Sequence, residues 1–201
     1  MGNRMSNTQL QQIIEAALFV AEQPMTPTAL RESVLSPFSV PLPRIREALD
    51  AIMQDYETRG VHLVEVASGY HFQTAPAVSE YVALLWTEKA PRYSRATLET
   101  LSLIAYRQPI TRAEIEQVRG VSVSTQIMKT LQERGWVKII GHKEVPGRPA
   151  LYATTPVFLD YFGLKSLSEL PELALPDNAR EQALAAEYPL FADANKPQAD
   201  S

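Results

Sequence analysis

Cysteine is absent from these 201 residues, which excludes disulfides, thiolate catalysis and cysteine-based zinc sites at once. Long apolar runs are absent too. The longest, Ala16-Ala17-Leu18-Phe19-Val20-Ala21 and Leu103-Ile104-Ala105-Tyr106, fall far short of the roughly 20 residues that a bilayer span needs. Glu15 interrupts the first candidate for the apolar stretch of a signal peptide. Met1 to Ser6 fits a myristoylation pattern, but that pattern is short and degenerate, and nothing else points to a membrane. A cytoplasmic protein without membrane contact is expected.

Glycine is scarce, at 8 residues, and scattered. No phosphate-cradling loop of either common spacing occurs, nor does a nucleophile elbow. His62, His71 and His142 have no metal-spaced partners. Carboxylate pairs such as Glu114/Glu116 and Asp55/Glu57 fall on expected helix surfaces, where solvation is commoner than acid–base chemistry. No catalytic, cofactor or metal residue is expected, and the chain does not read as an enzyme.

What is present is an ordinary folded composition, 45% hydrophobic and 21% charged. Its net charge of −4 is unevenly spread. Residues 91–163 carry 10 Lys/Arg against 6 Asp/Glu, between two segments that are each net acidic. An acidic partner for the middle segment is one reading of that asymmetry, and surface scatter is the other.

Organisation is the clearest signal. Leu10, Ile13, Ile14, Ala17, Leu18 and Ala21 share one helix face, and Pro24 ends that helix. Thr26 caps a short helix through Ala29, Leu30 and Val34. Ile45, Leu49, Ile52, Met53 and Tyr56 mark a third, closed at Arg59-Gly60 with glycine as C-cap. Val61–Val66 and Tyr70–Thr74 read as a hairpin around Ser68-Gly69. Ala75-Pro76 opens another helix through Val78, Val82 and Leu85.

The order then repeats. Ser94 caps a helix with Leu98, Leu101, Ile104 and Ala105, and Thr111-x-x-Glu114 is a capping box opening a helix with Ile115 and Val118. Gly120 marks a turn, and a third helix through Ile127 and Leu131 closes at Arg134-Gly135. Trp136–Ile140 and Leu151–Thr154 flank the turn Lys143–Pro149, and Thr155-Pro156 opens a last helix. Matching positions recur in both halves: Thr26 and Thr111, the two Arg-Gly pairs, and Pro76/Tyr81 with Pro156/Tyr161.

The fold class expected is α+β, mainly helical: two tandem winged helix-turn-helix domains, residues 7–90 and 91–165. An extension and acidic tail follow over 166–201, with disorder expected after Asp177. A generic α+β domain with chance matches is the competing reading.

Helix-turn-helix proteins read DNA with the third helix. Here that helix offers Gln126, Lys129, Gln132 and Glu133 in one half, and four acidic residues beside Arg44 and Arg46 in the other. Phosphate neutralisation supplies most DNA affinity, so only weak, non-specific contact from linker and wing is expected. Binding of other proteins fits better, with a winged-helix DNA-binding transcription regulator as the alternative.

The strings SRATLETLSLIAYRQPITRAEIEQVRGV, KEVPGRPALYATTP and FGLKSLSELP resemble the segregation and condensation protein B (ScpB) family, as do IIEAALFVAEQPMTPTAL and VHLVEVASGYHFQTAP. The likeness runs from about Leu10 to Leu173. It implies a non-catalytic, nucleoid-associated homodimer that binds the kleisin ScpA, and through ScpA the SMC ATPase, in chromosome condensation and segregation during cell division. Under that resemblance, Gln126, Lys129, Lys143 and Arg148 are candidates for kleisin binding in the second domain. Phe19, off the first apolar stripe, is the candidate for the dimer interface through the first. Val123-Ser124-Thr125-Gln126 departs from the family's small-polar start to the third helix, and the sequence after Pro176 matches nothing in the family pattern.

Overall fold

A computed structural model describes residues 5–85 and 93–172. The expected boundary between residues 90 and 91, and the tail expected after Asp177, lie outside the described residues. The architecture mixes helices and strands, and through Glu169 the described chain clusters as one compact unit.

Ser6 opens the first helix, α1 (Asn7–Val20), its hydroxyl accepting the Gln9 amide at 3.1 Å. Leu10, Ile14, Ala17 and Leu18 form the buried stripe of α1. Thr26 caps α2 (Pro27–Glu32) in the same way, with proline at the first helical position. That helix is shorter than its periodicity suggests: Val34 lies beyond it and is exposed, while Leu35 takes the core position. α3 (Leu42–Tyr56) begins at Pro41 and buries Ile45, Ala48, Leu49 and Ile52.

α3 does not end as expected. Its C-cap is Glu57 in right-handed helical geometry. Gly60 is not among the glycines at positive φ, so it is no left-handed cap. β1 (Val61–Val66) and β2 (Gly69–Thr74) then pair antiparallel across a two-residue turn, Ala67-Ser68. Leu63, Tyr70 and the partly buried Phe72 seal one side of the core formed by α1–α3. The helix expected after Pro76 is broken into 3-10 turns around α4 (Ser79–Val82).

Ser94 caps α5 (Arg95–Arg107). A strand too short for any alternation pattern, β3 (Ile110–Thr111), precedes α6 (Arg112–Arg119). Thr111 and Glu114 form the complete capping box at the start of α6, and Gly120 ends it at φ 70°. α7 (Thr125–Glu133) follows, then β4 (Val137–His142), β5 (Ala150–Thr154) and α8 (Pro156–Tyr161). The three strands lie in the order β3-β5-β4, with a bulge in β4 between Ile139 and Gly141. Leu101, Ile104, Ile110, Ile115, Val123, Met128, Leu131, Trp136 and Phe158 are buried among these elements. Burying each such side chain contributes roughly 1.5–3 kcal/mol.

Candidate partner-binding surfaces

The four residues expected to meet the kleisin are exposed, and each charged one already has a partner. Ser124 caps α7 and turns Gln126 and Lys129 toward solvent. Gln126 donates to the Thr130 hydroxyl at 3.4 Å, and Lys129 pairs with Glu133 at 3.5 Å. In the turn between β4 and β5, Arg148 pairs with Glu144 at 3.0 Å while holding a φ of 37°. Lys143 reaches back to α6 and donates to Glu114 at 2.5 Å. None of the hydrogen bonds or ion pairs of Gln126 or Lys129 joins them to Lys143 or Arg148.

Lys143 is a structural strut as well as a surface charge. Its ammonium is the largest reason that the Glu114 carboxyl falls to about 2, followed by the Thr111 amide and hydroxyl. Two residues further along α6, Glu116 accepts the Val123 amide at 2.9 Å and Arg112 at 3.1 Å. The Val123 amide and then Arg112 hold its carboxyl below the usual range. Arg112 also donates to the Val123 carbonyl. These bonds fasten the α6–α7 turn around the fully buried Val123. The polar candidates therefore sit on a surface whose charges are mostly spent on its own architecture.

Exposed apolar side chains form a second set of candidate features. Phe19 is 76% exposed and Val20 77% at the end of α1, with Phe19 meeting the Phe72 ring edge-on at 6.5 Å. Tyr81, Leu84 and Leu85 are more than two-thirds exposed, Leu85 being one of the apolar positions of the helix expected after Pro76. Their spacing is that of a helix stripe, which reads the same whether its cover is the chain's own core or another surface.

The second half has comparable outlying apolar groups: Ile139 and Ile140 on the outer strand β4, and Val157, Tyr161 and Phe162 around α8. Tyr161 and Phe162 stack against buried Trp136 at 4.6 and 5.7 Å. Clustered apolar exposure of this kind marks protein contact surfaces more often than isolated residues do. Among the described residues, no helix is long and apolar enough to cross a membrane, and no three His, Asp or Glu side chains are grouped to hold a metal ion.

Comparison with known proteins gives a consistent result. The family described as segregation and condensation complex subunit ScpB matches residues 12–173. The chain is 53% identical over 161 residues to the segregation and condensation protein B homolog of Coxiella burnetii, covering 80% of this chain and 77% of that one. It is 37% identical over 182 residues to segregation and condensation protein B of Bacillus subtilis, covering 89% of both. The crystal structure of ScpB from Mycobacterium tuberculosis aligns with 80% of this chain and 99% of that one, at 32% identity and a TM-score of 0.38.

Proposed function

We propose that this chain, which belongs to the ScpB family of segregation and condensation complex subunits, is a non-enzymatic scaffold. It dimerises and binds the kleisin ScpA, and through it the SMC heads, in a nucleoid-associated cytoplasmic complex. Two tandem winged-helix domains, residues 7–90 and 91–165, divide the work: the first dimerises and the second holds the kleisin. The family match over residues 12–173 carries this reading.

Local chemistry supports the division. Phe19 and Val20 project together from α1, and a twofold pairing is the commonest way to cover such a face. In the second domain the outlying Ile139, Ile140, Tyr161 and Phe162 supply apolar anchors. Gln126, Lys129, Lys143 and Arg148 form a polar margin that steers an acidic partner segment more than it binds it. DNA contact is weak and non-specific, because α7 exposes one lysine already paired with Glu133.

Light scattering tests the first half of the proposal: a mass near twice 22.4 kDa is expected, and Phe19→Glu shifts it toward the monomer. Calorimetric titration with recombinant kleisin tests the second. No heat of binding to the full chain would overturn the scaffold reading, as would a strong preference for one DNA sequence over its scramble.

A further inference from the structure

Two of the strings that carry the family resemblance, VHLVEVASGYHFQTAP and FGLKSLSELP, meet at one place in the fold. The Ala67 amide donates to the Leu164 carbonyl at 3.0 Å. Beside it the Ser68 amide donates to Asp160 Oδ1 at 2.9 Å, and the Lys165 ammonium meets Glu65 Oε2 at 2.6 Å. The turn between β1 and β2 thus rests on the end of α8 and the residues just after it.

Both sides are shaped before they meet. Behind the turn, Met25 and Tyr70 exchange both backbone hydrogen bonds at 2.9 Å. Gly69 permits that approach at φ 133°, where a Cβ would strike the Met25 carbonyl. The Tyr70 hydroxyl bonds to Glu65, and burial, then that carboxylate, pushes the phenol up to about 12. It therefore remains a donor at neutral pH. On the other side, Gly163 turns the chain at φ 68°. The Leu164 amide then returns to the Leu159 carbonyl at 2.8 Å, and Glu169 accepts the Lys165 amide at 2.7 Å.

The contact itself is polar and partly wet, with Glu65 and Lys165 side chains 36% and 51% exposed. Lys165 is the largest cause holding the Glu65 carboxyl low, and Glu65 the largest raising Lys165. Arg46, Asp50 and Glu169 contribute charge nearby. Among the described elements, no helix or strand before Leu85 packs extensively on one after Tyr93. Surface pairs and single hydrogen bonds are individually weak in water, so this junction is one that modest changes can open.

We propose that the β1–β2 turn and the exit of α8 form a releasable clasp between the two halves of the chain, made by Glu65, Ala67 and Ser68 against Asp160, Leu164 and Lys165. Closed, it presents both halves in one arrangement, so a partner that touches both loses less freedom on binding. Open, it shifts the population toward other arrangements. The clasp stands independently of which partner binds.

The absence of cysteine makes the test direct. Spin labels on Glu22→Cys and Gln117→Cys, one in each half and both at exposed positions, report the separation of the halves by pulsed electron resonance. Diluting the labelled chain into excess unlabelled chain removes distances between copies. A single narrow distance distribution is expected in the otherwise unchanged chain. Lys165→Glu and Asp160→Ala should each broaden it, the charge reversal raising the open fraction by about fivefold to tenfold, the scale of losing one surface pair and gaining a like-charge contact. The exchange Glu65→Lys/Lys165→Glu should narrow it again, which a misfolded variant would not do. A broad distribution in the unchanged chain overturns the clasp. So does a narrow one that survives both single substitutions, or an exchange that fails to restore it.

Discussion

α3 and α7 each run toward an Arg-Gly pair, yet only the second glycine bends the chain. Gly135 takes a φ of 68°, its amide reaches the Gln132 carbonyl at 2.8 Å, and the Trp136 amide reaches Leu131 at 3.0 Å. That is the paired closure of a Schellman motif. α3 instead unwinds through Glu57, with Arg59 bonding back to the Tyr56 carbonyl at 3.1 Å. In both halves the arginine covers an aromatic ring, Arg59 over Tyr56 and Arg134 over Tyr93. The same two letters thus serve a shared packing role and two different backbone roles.

The interiors differ as well. The first half packs mainly aliphatic side chains from three helices under a two-stranded hairpin, with Tyr56 and Phe72 in ring contact. The second gathers Tyr93, Tyr161 and Phe162 around Trp136 and fastens α6 to its neighbours with Arg112, Glu114, Glu116 and Lys143. One element order therefore stands on two differently weighted supports, mainly aliphatic packing in one case and a tryptophan-centred aromatic group with polar stitching around α6 in the other.

Core truncations would sharpen that contrast most. Trp136→Ala removes the ring that Tyr93, Tyr161 and Phe162 share, and should cost about 3–5 kcal/mol. Leu49→Ala, in the fully buried α3 stripe, should cost about 2–5 kcal/mol. Amide hydrogen exchange should show the first loss in α7, β4 and α8, and the second in α1 and α3. Equal loosening of both halves by either change would mean that they share one cooperative core.

The two hairpin turns come next. Gly69→Ala forces a Cβ into the Met25 carbonyl, and a backbone collision at a strained φ should cost about 3 kcal/mol. Gly147 also has positive φ, 84°, but open space around it. Gly147→Ala should cost only about 1 kcal/mol, the left-handed penalty alone. Similar melting temperatures for the two variants would break the distinction between a turn held from behind and one standing free.

Much of this was legible in the sequence because it is local. Ser94, Thr26, Thr111 and Thr155 cap their helices through bonds spanning three residues, and side-chain periodicity located most strands and helices to within a few residues. What escaped depends on distant chain. β3 exists only because β5 lies beside it. Gly69 is needed because Met25, more than forty positions earlier, presses on it. Gly60 and Gly135 look alike in sequence and differ because the chain leaves each helix in its own direction. At the candidate surfaces, Lys143 and Arg148 were visible as charges, but not their partners Glu114 and Glu144. Exposure of Phe19 was foreseeable from its place off the apolar stripe; that of Tyr81 and Leu84 was not, since a stripe does not say what covers it.

The helix ends give a smaller test. Gly135→Ala must place a Cβ at positive φ and should cost about 1 kcal/mol. Gly60→Ala meets only a Val78 methyl at 3.9 Å, an ordinary contact, and should change stability by less than about 0.5 kcal/mol. Urea unfolding of the two variants checks the difference. A comparable loss at Gly60 would show that both Arg-Gly pairs need glycine after all.

An effect no larger than the loss at Gly135 is expected from the stitching, and acid is its probe. Glu114 titrates at about 2 in the folded chain, chiefly because Lys143 donates to it, against about 4.3 when unfolded. A lowered carboxyl pKa stabilises the fold above the unfolded value, and that stability is lost as pH falls through the folded value. The window is thus about pH 5 to 2. Lys143→Met keeps most of the aliphatic stem and removes the charge, leaving Thr111 to hold Glu114. Both partners are more than one-third exposed, so the loss at pH 7 should be no more than roughly 0.2–1 kcal/mol. It should shrink as pH drops toward 2, where the parent's carboxyl is about half protonated and the variant's more so. Lys129→Met is the control, since its pair with Glu133 is longer, at 3.5 Å, and more exposed; it should show little change at any pH. Urea midpoints followed by circular dichroism from pH 7 to 2 measure all three chains. A gap between the parent and Lys143→Met that stays constant down to pH 2 would assign Lys143 to packing, and the second half would then lose its claim to electrostatic stitching at this position.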